Sequence, residues 1–265
     1  MAKIGFIGMG NMGHAMLNGV LKKYEKQELA FSDVNEDRMK KVTEETGVEH
    51  YLSNAELANN VKIIVLAVKP QFIGDVLKNI KNIVTKDHVI ISIAAGVTVD
   101  YLQSALGADI RIVRAMPNTP ALLGEGMTGV CYDQKLFTYE EKEDISKIFS
   151  SIGKARLIPE KMMSVVTCAS GSSPAYVYMF IEALADSAVK YGMTRADAIE
   201  FAAMTVKGAA DMVLSTGEHP AVLKDRVCSP GGTTIAGVSA LEENGFRHAI
   251  IAATDKCYEK CTGIK

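Results

Sequence analysis

A glycine-rich turn near the start of the chain constrains its fold more than any other feature. Gly8, Gly10 and Gly13 follow a short apolar run and precede an amphipathic helical pattern, so the motif G-x-G-x-x-G joins a predicted strand to a predicted helix. In such a turn the first glycine permits the bend, the second lets a ligand approach the backbone, and the third lets the helix pack on the strand. The helix start offers unbonded N–H groups to an anion. The motif predicts a dinucleotide pyrophosphate site that includes Asn11 and Met12, with a purely structural glycine turn as the alternative.

The first half of the chain alternates continuous Val/Ile runs with helical patterns. Such runs are typical of parallel strands that are covered on both faces. We predict an α/β fold, a Rossmann-type doubly wound parallel sheet over residues 1–160, with strands at 3–8, 29–32, 63–68, 89–94 and 110–115, an edge strand at 129–132, and helices at 12–23, 35–46, 76–83 and 99–106.

After about residue 160 the strand-like runs give way to long Ala/Met/Leu helical patterns. We predict an all-helical domain over residues 161–265, with helices at 174–191 and 194–214, a loop at 225–232, and two helices across 233–260 that break near Gly245. Tyr176, Tyr178, Met179, Phe180, Ile181 and Leu184 place apolar groups on more than one helix face, which predicts a subunit interface.

Three further loops complete the predicted cofactor site at the carboxyl ends of strands, where doubly wound sheets bind ligands. Ser32 and Asp33 end the second strand, about twenty residues after the glycine motif, where a carboxylate bonds ribose hydroxyls. An acid that simply ends a strand is the alternative. The small residues of Ala67-Val68-Lys69-Pro70 and Ala94-Ala95-Gly96 allow close approach to the ribose and nicotinamide. We expect Lys69 to neighbour the cofactor, with a solvated lysine as the alternative.

The second strand leaves the choice of nicotinamide cofactor open. The Asp33 carboxylate favours the bare ribose of NADH, whereas Ser32, Asn35 and Arg38 suit the 2′-phosphate of NADPH. We therefore expect NADPH and NADH both to be used.

A second glycine motif stands in the helical half. Gly231 and Gly232 precede Thr233 and Thr234 and expose successive N–H groups at a helix start, which suits a carboxylate. A helix capped by a threonine hydroxyl is the alternative. Because a cap needs one hydroxyl and no glycine pair, we predict a substrate loop.

Composition excludes several other classes of function. The net charge is −2 without a block of like charge, and tryptophan is absent, which argues against a nucleic-acid partner. No apolar stretch reaches about 18 residues, so no membrane span is predicted. The five cysteines form no C-x-x-C pair and the histidines have no metal-ligand spacing, so we expect no metal, although Cys257 and Cys261 lie four residues apart. A reducing, cytoplasmic location is expected.

These motifs resemble Δ1-pyrroline-5-carboxylate reductases. The resemblance runs from Lys3 to about Lys260 and is most specific over Leu223–Gly237 and Leu241–Glu242. The supporting stretches are Phe6–Gly13, Ala67–Pro70, Ala94–Thr98, Met116–Pro120 and Ser170–Tyr176. The resemblance implies reduction of 1-pyrroline-5-carboxylate to L-proline with NAD(P)H, the last step of proline biosynthesis. It also implies a homodimer through the helical domain, often within a larger ring.

The resemblance also implies residue roles. Thr234 matches the threonine that hydrogen-bonds the imine nitrogen, Thr233 adjoins the substrate carboxylate, and Glu160 matches an acid near the substrate ring. Ser173 and Ser164 depart from the family pattern, which has Gly and often Asp there, and they bear on packing rather than chemistry.

Two other functions compete with this one. A β-hydroxyacid dehydrogenase resembles only the first half and carries a catalytic lysine after a glycine-rich run, whereas here no lysine follows Cys168–Ala175 until Lys190. A non-catalytic NAD(P)-binding sensor has no need for the second anion loop at Ser229–Thr234.

Overall fold

The computed structural model describes residues 2–263 and divides them into two compact units. The sheet unit contains the chain up to Gly171 and the short segment that begins at Lys260, and the helical unit is Ser172–Glu259.

The sheet unit is built on a single sheet. Within residues 2–263, eight strands lie in the order β3-β2-β1-β4-β5-β6-β7-β8. Neighbouring strands from β3 through β6 are parallel, β7 is antiparallel to β6, and β8 is parallel to β7. The strands are β1 Ile4–Ile7, β2 Leu29–Ser32, β3 Glu49–His50, β4 Ile63–Leu66, β5 Val89–Ser92, β6 Arg111–Met116, β7 Gly126–Cys131 and β8 Gly153–Leu157.

Helices cover both faces of this sheet, which explains the continuous apolar strands. Ile63 and Val65 of β4 point into one buried cluster, and Ile64 and Leu66 point into the other. Because successive strand residues face opposite sides, a strand buried on both faces needs apolar residues throughout. The helices of this unit are α1 Asn11–Val20, α2 Glu36–Thr46, α3 Asn54–Asn59, α4 Ile73–Ile80, α5 Val99–Leu106, α6 Tyr139–Ser150 and α7 Met163–Val166, followed by a π-helical turn at Thr167–Gly171. The predicted Rossmann-type fold is confirmed.

Several element predictions were incomplete. The strand predicted at an edge over 129–132 is β7, which is interior because β8 pairs beside it. The sequence did not indicate β8 because its residues from Lys154 to Leu157 are exposed and lack an apolar alternation. The predicted loop at 225–232 overlaps the end of a helix at Pro220–Val227.

The helical unit has a small core made of alanine. Ala185, Ala198 and Ala202 are buried where the first two helices pack together, and large side chains such as Met179 and Phe201 are 68% and 66% exposed. Its helices are α8 Ser173–Lys190, α9 Arg195–Thr216, α10 Pro220–Val227, α11 Thr233–Glu243 and α12 Phe246–Thr262. Gly245, with a φ of +72°, separates the last two helices near the predicted break. Among residues 2–263, none of the helices combines the length and apolar character that a bilayer span requires.

Residues 161–171 belong to the sheet unit, whereas the sequence placed the domain boundary at residue 160. A Cβ added at Gly129 of β7 would lie 3.0 Å from Val166, so α7 packs directly on the strand. The Asn118 side chain donates to the Ser170 carbonyl oxygen at 3.1 Å. Both contacts hold this segment to the sheet.

Thr128 on β7 provides a test of core packing. Its hydroxyl is fully buried and has no hydrogen-bond partner. Replacing it with valine keeps the shape and removes an unsatisfied polar group, so Thr128→Val should raise the free energy of unfolding by about 1 kcal/mol. Thermal and urea unfolding measure this change. The matched control is Thr98→Val, which removes the hydroxyl that accepts the Tyr101 N–H at 3.1 Å and should destabilise. Equal effects of the two substitutions would contradict the prediction.

Candidate functional site

The register of the parallel strands brings the predicted cofactor loops to one edge of the sheet. Ile7 of β1 is level with Ser32 of β2 and Leu66 of β4, and Leu66 is level with Ser92 of β5. Because β1 lies between β2 and β4, this edge is the point where the winding of the sheet reverses. The loops that leave at this level contain Gly8–Gly13, Asp33, Ala67–Pro70 and Ala94–Gly96.

The three glycines of the first turn have different reasons to lack a side chain. Gly8 has a φ of +98°, and a Cβ there would lie 2.7 Å from Val68. A Cβ at Gly13 would overlap the Gly8 carbonyl oxygen, so the third glycine lets α1 pack on β1. A Cβ at Gly10 would meet no protein atom within 4 Å. The open space at Gly10 fits a ligand that approaches the backbone, as a pyrophosphate does.

The helices that follow the two predicted glycine motifs, α1 and α11, begin without a side-chain cap. The helices α4, α7 and α8 also lack a side-chain cap, but their N-cap residues are Phe72, Met162 and Ser172 rather than glycine. Gly10 precedes α1 and Gly232 precedes α11, and neither helix start receives a side-chain hydrogen bond. By contrast, α2, α3, α5, α6, α9 and α10 are capped by Asn35, Ser53, Thr98, Thr138, Thr194 and His219. The first amides of a helix have no partner inside it. No threonine hydroxyl caps α11, so the capped-helix alternative for this motif is excluded.

Asp33 points into the glycine turn. One of its carboxylate oxygens accepts the Met9 N–H at 2.5 Å and the other accepts the Asn35 N–H at 2.9 Å. The Arg38 Nε donates to the Met9 carbonyl oxygen at 2.8 Å. Asn35 caps α2 through its own side chain, which accepts the Arg38 N–H at 2.9 Å. Asp33 is therefore placed at the turn rather than at the first amides of α2.

Ser32 is completely buried, so its hydroxyl does not reach the surface of the site. It donates to the Asn54 side-chain oxygen at 2.9 Å. Asn54 lines a cavity of about 370 Å³ together with Asp33 and Val34. Sequence reasoning missed Asn54, because the preceding strand β3 has only two residues and shows no recognisable alternation.

The other two loops differ in how they meet the glycine turn. Ala67 packs against the turn, since its side chain would lie 3.1 Å from a Cβ at Gly13. Lys69 is exposed and leads into a 3-10 turn at Pro70–Phe72. In the third loop Ala94 is buried, and Ala95 and Gly96 are exposed.

The predicted substrate residues fall in different units. Glu160 lies in the sheet unit, where its Oε1 accepts the Val99 N–H at 2.8 Å and the Arg114 guanidinium at 2.9 Å. Gly231, with a φ of +66°, lies in the helical unit, where the Gly232 N–H donates to the Ser229 carbonyl oxygen at 3.0 Å. This turn leads directly into Thr233 and Thr234 at the start of α11.

Comparisons with known proteins agree with this arrangement. The family profile described as pyrroline-5-carboxylate reductase dimerisation matches residues 160–264, and one described as NADP oxidoreductase, coenzyme F420-dependent, matches residues 3–96. The pyrroline-5-carboxylate reductase of Escherichia coli strain K12 is 50% identical over 97% of this chain and 96% of its own length. The enzyme of that name from Methanosarcina acetivorans is 43% identical over the same shares. A crystal structure of Plasmodium falciparum pyrroline carboxylate reductase with NADP bound has a TM-score of 0.89 at 36% identity, covering 99% of this chain and 97% of that one.

The doubly wound sheet, the glycine turn at its switch point and the separate helical unit define a Rossmann-type NAD(P)-dependent oxidoreductase. Identity of this extent over nearly the whole length is specific to one group within that class. The chain belongs to the pyrroline-5-carboxylate reductase family.

A substitution at Gly10 tests cofactor binding separately from the stability of the fold. Because a Cβ at Gly10 meets no protein atom, Gly10→Ala should change the free energy of unfolding by no more than about 1 kcal/mol, the loss from a poorer helix start. The same methyl group fills the space for the pyrophosphate, so the Kd for NADPH should rise at least about tenfold. Thermal unfolding and a fluorescence titration of NADPH check the two effects. Gly13→Ala, in which the methyl group overlaps Gly8, is the control and should be strongly destabilised. Wild-type affinity in Gly10→Ala would contradict this assignment.

Proposed function

We propose that this protein reduces 1-pyrroline-5-carboxylate to L-proline with NADPH or NADH. One observation carries the proposal: in a chain of this family, the helices of both the predicted cofactor turn and the predicted substrate loop start after a glycine and without a side-chain cap. Each offers backbone N–H groups to an anion, one to a pyrophosphate and the other to a carboxylate.

The residues assigned to this reaction mainly bind and orient. A bound reduced nicotinamide supplies the hydride that the carbon of the C=N bond accepts. The amides of Gly10, Asn11 and Met12 hold the pyrophosphate, and Ala67-Val68-Lys69-Pro70 and Ala94-Ala95-Gly96 lie along the ribose and nicotinamide. Fixing donor and acceptor in one geometry supplies most of the rate, because solvent can protonate the imine before it binds.

The substrate is held by the loop at the start of α11. Gly231 and Gly232 shape the turn that exposes the amides at the start of α11, from Thr233 on, to the carboxylate, and the Thr234 hydroxyl forms a hydrogen bond with the imine nitrogen. Glu160 stands near the substrate ring in this assignment. The loop amides and Thr234 hold the substrate, and none of these groups transfers the hydride itself.

An assay of NADPH and NADH oxidation tests the proposal directly. Purified protein should oxidise NADPH or NADH with 1-pyrroline-5-carboxylate and form L-proline. In a second assay it should not reduce NADP⁺ or NAD⁺ with a 3-hydroxy acid. Activity with the 3-hydroxy acid alone would favour a β-hydroxyacid dehydrogenase. Cofactor binding without turnover of any imine would favour a sensor.

Thr234→Ala should lower kcat/KM while the protein stays folded and keeps its affinity for NADPH. Losing one hydrogen bond to the reacting imine should cost about 1–3 kcal/mol of transition-state stabilisation, a roughly five- to 150-fold decrease. Steady-state kinetics measure the decrease, and circular dichroism confirms the fold. Ser239→Ala on the same helix is the control, since the Ser239 hydroxyl donates only to the Ile235 carbonyl oxygen of its own helix. Unchanged kinetics would remove Thr234 from the mechanism.

The position of Asp33 supports use of NADH alongside NADPH. Its carboxylate is fixed beside the Met9 amide, where it can accept ribose hydroxyls and would repel a 2′-phosphate, while Arg38 brings a compensating positive charge to the same turn. The cavity lined by Asp33, Val34 and Asn54 suits the adenosine end of either cofactor.

Asp33→Ser should shift the ratio of kcat/KM values towards NADPH by about tenfold, because it removes a fixed negative charge and leaves Arg38 in place. Kinetics with both cofactors at saturating imine give the ratio. Asp37→Ser, on the exposed first turn of α2, is the matched charge control. A ratio that stays constant in Asp33→Ser would show that Asp33 does not govern the choice.

The family membership of the helical half supports oligomerisation, and we propose a homodimer through the helical unit, with a larger ring built from such dimers. Tyr178, Met179 and Phe201 are more than half exposed in the isolated chain, and large apolar side chains exposed in this number favour burial against a partner. We also propose a cytoplasmic location, which suits five thiols without a disulfide framework.

Light scattering of dilute, active enzyme should give a mass of at least twice the 28.5 kDa of one chain. Met179→Lys should shift the protein towards monomers, because it places a charge in the apolar surface. A measured mass near 28.5 kDa for active wild-type enzyme would contradict the proposed dimer.

A further inference from the structure

A buried arginine stands near the carboxyl end of β6, in an otherwise mostly apolar strand. The Arg114 side chain is only 10% exposed, and its Nη1 lies 2.9 Å from Glu160 Oε1. Removing a guanidinium from water is costly unless a carboxylate compensates for it. Glu160 supplies that carboxylate from the segment that follows β8.

The same carboxylate oxygen holds the start of α5. Glu160 Oε1 accepts the N–H of Val99, the first residue of the helix, at 2.8 Å. This amide has no partner inside the helix, and a charge-assisted hydrogen bond is about twice as strong as a neutral one. Arg114 therefore fixes Glu160, and Glu160, together with the Thr98 side chain that accepts the Tyr101 N–H, fixes the first turn of α5.

The loop between β5 and α5 has only weak hydrogen bonds of its own. The Ala94 N–H donates to the Ser92 hydroxyl and the Val97 N–H donates to the Ala94 carbonyl oxygen, both at 3.4 Å, near the limit for a hydrogen bond. Gly96 has a φ of +77°, and no protein atom lies within 4 Å of a Cβ placed there. Burial of the Ala94 and Val97 side chains in an apolar cluster anchors the loop. The path of the exposed Ala95 and Gly96 depends on the two ends of the loop, the sheet at Ser92 and the bond from Val99 to Glu160.

From these contacts we infer that Arg114 and Glu160 are positioning residues for hydride transfer. They hold in place the loop that lies along the ribose and nicotinamide, so the inference rests on the proposed function. Arg114 exerts its effect through Glu160 and has no part in the chemistry. A displacement of about 1 Å in a reacting group can lower a rate by about a hundredfold.

The opposite end of the same strand offers a matched control. Arg111 pairs with Glu141 at 2.6 Å, and Lys62 reaches the other oxygen of this carboxylate at 2.9 Å. The Glu141 side chain is 3% exposed, so β6 carries here a second ion pair in which one of the two partners is buried. It lies at the amino end of the strand, where Glu141 also accepts the Thr138 N–H at 2.9 Å.

The experiment compares Glu160→Ala, Glu160→Gln and Arg114→Met with Glu141→Ala. Fluorescence titration of NADPH without substrate gives Kd, and steady-state kinetics give kcat and the KM for the imine. Glu160→Ala and Arg114→Met should raise Kd and lower kcat by about tenfold each, with the KM for the imine within about twofold of wild type. Glu160→Gln keeps an acceptor for the Val99 amide and should recover most of the affinity. Glu141→Ala should lower Tm and leave Kd unchanged.

Two results would overturn the inference. One is wild-type NADPH affinity in folded Glu160→Ala and Arg114→Met, and the other is an equal rise of Kd in Glu141→Ala. A defect confined to the KM for the imine would also overturn it, since Glu160 would then act on the substrate directly. Where Glu160→Ala does not fold by circular dichroism, the Kd of Arg114→Met decides alone: a rise supports the inference, and wild-type affinity overturns it. A wild-type protein that oxidises no NADPH with the imine would refute the proposed function, and the Kd comparison would still test the loop.

Discussion

The close packing of α1 against β1 is the contact on which the cofactor half of this protein depends. Gly13 faces the carbonyl oxygen of Gly8 so closely that no side chain fits between helix and strand. This contact aims the uncapped end of α1 at the switch point of the sheet. The register of β1 with β2 and β4 then brings the remaining loops to the same level.

The network around the glycine turn uses charged groups to hold backbone rather than to perform chemistry. Asp33 and Arg38 bond the N–H and the carbonyl oxygen of Met9, and Glu160 bonds the amide of Val99. Each carboxylate or guanidinium satisfies a backbone group that no regular element pairs. This agrees with a reaction in which the cofactor carries the reactive bond and the protein supplies orientation.

The sequence predicted the features that follow from local rules and missed those that depend on distant contacts. Alternating apolar runs and helical patterns were enough to predict the Rossmann-type sheet, since a strand buried on both faces has to be apolar throughout. The exposed strand β8 carries no such pattern, because its place depends on pairing with β7. Ser32 was predicted at the cofactor from its position at a strand end, but the direction of its side chain, towards Asn54, depends on a neighbouring element. Arg114 is visible in the sequence as a charged residue inside an apolar strand. Its acidic partner Glu160 is not, because it lies 46 residues away in the chain.

The alanine core of the helical unit has a consequence for how this protein exists in dilute solution. Burying three methyl groups contributes only a few kcal/mol, far below the entropy lost on ordering a chain of this length. Ile181, Ala188 and Val189 pack on this core while still partly exposed, so the interior of the unit alone contributes little stability. In the proposed dimer, folding of this half is linked to association by mass action, and its thermal stability then rises with the concentration of the protein itself.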